Sequence, residues 1–159
     1  MMPAPDLMNT VLLLLAPLLP LVFALVKSDR IGQWLLPLAV LPALSISLWL
    51  EPDTSVSLPW LLMGAQWGVD SNSHIFLLIT AWLWFLAALY SVTATPKGAG
   101  LWRFRVFFLL TLSGNILLIL AQDMASFFLG FAAMGLAAYG MIMQQRSVTT
   151  TRAGRVYLI

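Results

Sequence analysis

Residues 101–121 read LWRFRVFFLLTLSGNILLILA, residues 122–123 are Gln and Asp, and residues 124–143 read MASFFLGFAAMGLAAYGMIM. Two apolar runs of about twenty residues thus stand almost back to back. At 1.5 Å per residue, each run reaches about 30 Å as a helix, the thickness of a bilayer's hydrocarbon core. With only Gln122 and Asp123 between them, the two spans must turn back as a tight antiparallel hairpin. Trp102, Arg103 and Arg105 mark one end of the first span; Asp123 marks the start of the second.

Three more runs lie upstream, at about 7–26, 31–50 and 73–92. The first is long enough for a retained span and starts on Asp6 rather than on a cation, so it reads as a helix and not as a signal peptide. Pro17 and Pro20 in that run, and Pro37 and Pro42 in the second, are tolerated in a membrane helix whose neighbours satisfy the freed carbonyls. Trp34 and Trp49 stand near the two ends of the second run, as interface anchors do. The expected fold is an all-α bundle of about five transmembrane helices in one domain.

The charges orient it. Lys27 and Arg30 fall between runs one and two, Lys97, Arg103 and Arg105 around the start of run four, and Arg146, Arg152 and Arg155 after run five. Glu51, Asp53, Asp70 and Asp123 occupy the alternate gaps, and only Asp29 sits among the cations. Basic loops stay in the cytoplasm, so the N-terminus is expected outside. Residues 144–159 read as a cytoplasmic loop leading into the start of a sixth helix. Between Glu51 and Asn72, two short alternating stretches separated by Met63-Gly64 predict a small external β-hairpin, with Pro59 confining its strand to an edge.

Composition excludes several functions. The chain is 61% hydrophobic and 9% charged, with a mean hydropathy of +0.94; soluble domains carry about 25% charged residues. Its net charge of +2 is spread over loops and forms no basic helix face, which argues against nucleic acid. Without cysteine, and with His74 as the one histidine, the chain offers no metal site of its own. No nucleophile with a base, no paired carboxylate at depth and no phosphate-binding glycine loop points to an active site, and no cofactor is implied.

No run carries an ionisable group near its centre. The polar groups at depth are Ser45, Ser47, Thr80, Thr111, Ser113, Asn115, Ser126 and Tyr139. Such groups commonly hydrogen-bond between helices. Asn115, an amide at mid-depth, is the strongest candidate for holding water. Asp123 reads as the N-cap of helix five or as an ion-access point. Asp70 either caps helix three or organises the loop before it. His74, near the outer interface, reads as a structural residue or a proton relay. From Gly130 to Gly140, seven of eleven residues are Gly or Ala. Gly130, Ala133, Gly135, Ala137 and Gly140 are therefore expected to pack tightly, inside the bundle or against a partner subunit. Trp82 and Trp84, two apart on helix three, must face different sides, one of them toward lipid or another chain.

Three stretches carry a family resemblance. Trp67-Gly-Val-Asp-Ser-Asn-Ser-His-Ile-Phe-Leu-Leu, Ala121-Gln-Asp-Met-Ala-Ser-Phe-Phe-Leu-Gly-Phe and Arg152-Ala-Gly-Arg-Val-Tyr-Leu-Ile look like the segments that open helices three and five and approach helix six in the antiporter-like membrane subunits. Those subunits are shared by respiratory complex I, Mrp-type sodium/proton antiporters and membrane-bound hydrogenases. The chain resembles their N-terminal part. The resemblance implies other membrane subunits as partners, a soluble redox or enzyme module on the cytoplasmic side, and a prokaryotic inner membrane as the location.

One departure governs the functional expectation. The family's relay Glu, nine residues after the helix-five Asp, falls here on Ala132. A methyl group neither passes a proton nor tunes a lysine. The leading expectation is an antiporter-like subunit with a mainly structural role. One alternative is a part in proton or sodium translocation through Asn115, Ser126, Tyr139, Asp123 and His74, with waters shared with a neighbouring subunit. Another is a small anchor or assembly factor that holds a soluble enzyme through basic loops such as Arg103 and Arg105.

Overall fold

A computed structural model describes residues 7–61, 64–94 and 100–143, without the side chains of Asp29 and Arg30. The expected start of a sixth helix, the cations Lys97, Arg146, Arg152 and Arg155, and Met63 in the hairpin turn lie outside the described residues, as does Asp6.

The described chain is mostly helical. In order it forms α1 (Leu7–Ala24), α2 (Asp29–Trp49), β1 (Thr54–Leu58), β2 (Ala65–Val69), α3 (Ser71–Ala94), α4 (Leu101–Leu120) and α5 (Met124–Ile142). All five helices are long and apolar enough to cross a membrane. The helix ends follow local chemistry. α2 starts at Asp29 and takes in Arg30, two residues earlier than hydropathy alone suggests; Ser28 occupies the N-cap position with an extended backbone and no side-chain capping bond. Asp70 precedes α3, whose first residue is Ser71.

The two strands pair antiparallel, with Val56 opposite Trp67 and Leu58 opposite Ala65. β1 stops at Leu58, one residue before Pro59, which has no N–H to give to a ladder. Gly64 turns the chain with φ of 106°, a left-handed value suited to glycine. On its other side β2 meets the α4–α5 connection through a single bridge between Trp67 and Ala121.

α2 and α4 form the centre of the bundle, each with about half of its span buried; α1, α3 and α5 lie around them. α4 touches all four other helices. Leu109, Leu112, Ile116 and Leu120 line its core side, against Leu13 and Ala16 of α1 and Leu36, Val40 and Ala43 of α2. On α3, His74, Leu77, Ala81, Trp84, Ala88 and Ser91 recur at three- and four-residue spacing, and this stripe is turned inward. Trp84 packs edge-on against Phe108 of α4, with centroids 4.9 Å apart. Trp82, on another side, is 46% exposed. In a chain of this hydropathy, outward Ile, Leu, Phe and Trp are compatible with lipid contact, and burial inside the bundle is the more selective property.

α1 contains two prolines, and α4 hydrogen-bonds to its backbone at one of them. Pro17 and Pro20 lack the N–H groups that would bond Leu13 and Ala16. The buried Ser113 hydroxyl of α4 donates to the Pro17 carbonyl at 2.6 Å, a bond between helices in addition to those within α1. Ser45 and Ser47 donate to carbonyls of their own helix, those of Leu41 and Leu44. Thr111 likewise donates to the Phe107 carbonyl. These hydroxyls are therefore satisfied within helices.

Candidate functional site

Among the described residues, a dense polar arrangement lies where the hairpin meets the α4–α5 turn. Asp123 adopts an extended backbone just before α5, and its carboxylate accepts the Ser126 N–H at 2.8 Å. This is N-capping, which satisfies an otherwise orphaned amide at the positive end of the helix. The other carboxylate oxygen accepts the Gln66 N–H of β2 at 2.9 Å. The Gln122 N–H in turn donates to the Gln66 carbonyl at 2.8 Å.

One step further in, the Trp67 indole N–H donates to the Ser126 hydroxyl at 2.9 Å. Trp67 is 2% exposed and Ser126 is fully buried. A tryptophan in a core needs a partner for its N–H, and Ser126 is that partner. Gln122 lies across Gly68: a Cβ there would fall 2.5 Å from Gln122 Nε2 and 2.7 Å from the Thr54 carbonyl oxygen. Gly68 thus lets the α4–α5 turn seat on the hairpin.

Burial pushes the Asp123 carboxyl up, but bonds from the Ser126 hydroxyl and from the backbone N–H groups of Ser126, Gln66 and Ala125 outweigh it and hold the group below the usual carboxylate range. Asp123 is thus a carboxylate engaged in holding two elements together. Ser126, one of the ion-pathway candidates of the translocation alternative, accepts the Trp67 indole N–H at its hydroxyl oxygen and bonds the Asp123 carboxylate as well.

Asp70 caps α3. Its carboxylate accepts the Ser73 N–H at 2.6 Å, and its own N–H donates to the Ser73 hydroxyl at 2.8 Å. The Ser73 N–H, followed by the Ser73 hydroxyl, lowers the Asp70 pKa. His74 follows in the same turn, its backbone N–H bonded to the Asp70 carbonyl. The His74 ring nitrogen Nε2 is buried with no hydrogen-bond partner among the described residues.

Along their length, α4 and α5 come into backbone contact. A Cβ on Gly114 would lie 2.6 Å from the Met134 nitrogen, and one on Gly130 would lie 2.7 Å from the Leu118 nitrogen. Gly140 faces the Phe107 ring. Gly130 and Ala137 are buried, whereas Gly135 has open space around it and Ala132 is exposed. Gly130 thus meets α4, whereas Gly135 does not belong to the α4 contact. At about 100° per residue, Gly135 sits about 140° around the helix from Gly130 and Ala132 about 160°. Ala133 is half-buried at the margin. Gly114, the α4 half of the crossing, was not among the expected packing residues. Its only sequence signal was a glycine inside an apolar span.

Asn115, next to Gly114, donates from Nδ2 to the Met134 sulfur at 3.3 Å, and its Oδ1 is buried without a partner among the described residues. Tyr139 is half-buried further along α5. The five polar candidates do not converge. Asp123 and Ser126 belong to the hairpin cluster, His74 to the start of α3, Asn115 to the α4–α5 crossing, and Tyr139 to the far half of α5.

Arg105 lies at the opposite end from the hairpin, and in the anchor alternative it would face a soluble partner. It is 2% exposed. Its guanidinium donates to the Ser28 carbonyl at 2.7 Å and makes a longer 3.5 Å contact to the Lys27 carbonyl. It crosses the first turn of α2 where any Cβ on Gly32 would overlap Nη1. Arg105 is thus engaged in the bundle, joining α4 to the α1–α2 turn. Arg103, two residues earlier, is exposed. Among the described residues, no three His, Asp or Glu side chains group as a metal site.

No family matches. Neither a protein-family model nor a curated relative corresponds to this sequence. The functional reading therefore rests on the geometry above and on the residues themselves.

Proposed function

We propose that this chain is an antiporter-like subunit, or an N-terminal portion of one, that packs within a multi-subunit ion-translocating membrane complex and serves there mainly as structure. The observation that carries the reading is Ala132. It is an exposed methyl on the side of α5 turned away from α4, about 13 Å along the helix from Asp123 by helical rise. This is the position at which the resemblance calls for a relay carboxylate. The use of Asp123, Ser126 and Arg105 in holding elements together supports a packing role. In this reading the hairpin lies outside, Arg103 faces the cytoplasm, and the membrane is the inner membrane of a prokaryote.

The test is purification of the assembly in mild detergent through this chain, with its subunits identified by mass, and reconstitution of the chain alone in liposomes. Other antiporter-like or redox subunits alongside it are the expected result. Proton or sodium flux through the isolated chain would remove the structural assignment. Purification with a soluble enzyme alone would favour an anchor.

A second reading has one observation in its favour. The unpartnered Asn115 Oδ1 at the α4–α5 crossing suits a group that holds water for translocation shared with a neighbouring subunit. Asn115→Leu then lowers transport by the assembled complex while assembly persists. Unchanged transport eliminates it.

A further inference from the structure

We draw no further inference here: the strongest candidate, the outward face of α5 that carries Phe128, Phe131, Ala132 and Gly135, is an apolar helix face with nothing in the structure to show what covers it.

Discussion

The guanidinium of Arg105 occupies the space that a side chain on Gly32 would need. A cation near the start of α4 thereby reaches across the first turn of α2 to the carbonyl of Ser28, 77 residues away in sequence. The glycine matters here because of what passes over it, and its own helical backbone needs no special freedom.

Gly32→Ala is expected to displace the guanidinium and to destabilise the bundle by about 1–3 kcal/mol, the usual cost of overpacking a filled site. Arg105→Lys keeps the charge but loses the fork that spans two carbonyls. Thermal unfolding in detergent should show a lower midpoint for both. Combined with Arg105→Ala, the glycine substitution should add less than it costs alone, because the clash has gone. Strict additivity would show that the two residues are uncoupled.

Ser126→Ala leaves the Trp67 indole N–H buried without an acceptor, at a cost of about 1–3 kcal/mol. Trp67→Phe removes the donor and part of the packing. A double-mutant cycle on the two positions should return a coupling energy of about 1 kcal/mol. Tryptophan fluorescence offers an independent readout, since the indole's polar contact is lost in Ser126→Ala.

Attachment of the hairpin should weaken in acid. The folded-state pKa of Asp123 is depressed, so its contribution is fully present above the ordinary carboxylate pKa of the unfolded chain. It is lost as pH falls through the lower, folded-state value. Amide exchange at Gln66 and Ser126 should rise over that acid range. In Asp123→Asn, which keeps an acceptor oxygen but not the charge, this component of the pH dependence should vanish. A pH response unchanged by the substitution would assign it to other groups.

Gly114→Ala and Gly130→Ala each place a methyl against the facing backbone and should push α4 and α5 apart. Each should lower the unfolding midpoint. Gly135→Ala meets open space and should be neutral or slightly stabilising, since alanine favours a helix over glycine by about 1 kcal/mol. Equal losses at Gly130 and Gly135 would contradict this difference between them.

The helices were readable because their cause is local. Twenty consecutive apolar residues such as 101–121 need no partner to indicate a span, and Asp123 before an apolar run is a cap wherever that run packs. The two-stranded hairpin was also readable, from Pro59, Gly64 and weak alternation. Functional roles at single polar residues were less so. Asp123 showed its cap but not its second bond to Gln66, and Ser126 looked like any small polar group in a span. Arg105 and Arg103 look equivalent as loop-side cations, yet one is buried and the other exposed, because their side chains leave α4 on different sides.

By itself, the order of residues determined that the described chain forms five apolar helices with a short hairpin between the second and third. Hydropathy, proline, glycine and capping act within a few residues of where they are written. Only the tertiary structure decided that Gly32 makes way for Arg105, that Gly114 and Gly130 meet, and that Trp67 finds Ser126. It also turned Ala132 outward while burying Ala137 on the same helix. Each of these depends on which helix lies beside which and at what rotation, and those are set by long-range packing of side chains far apart in the sequence.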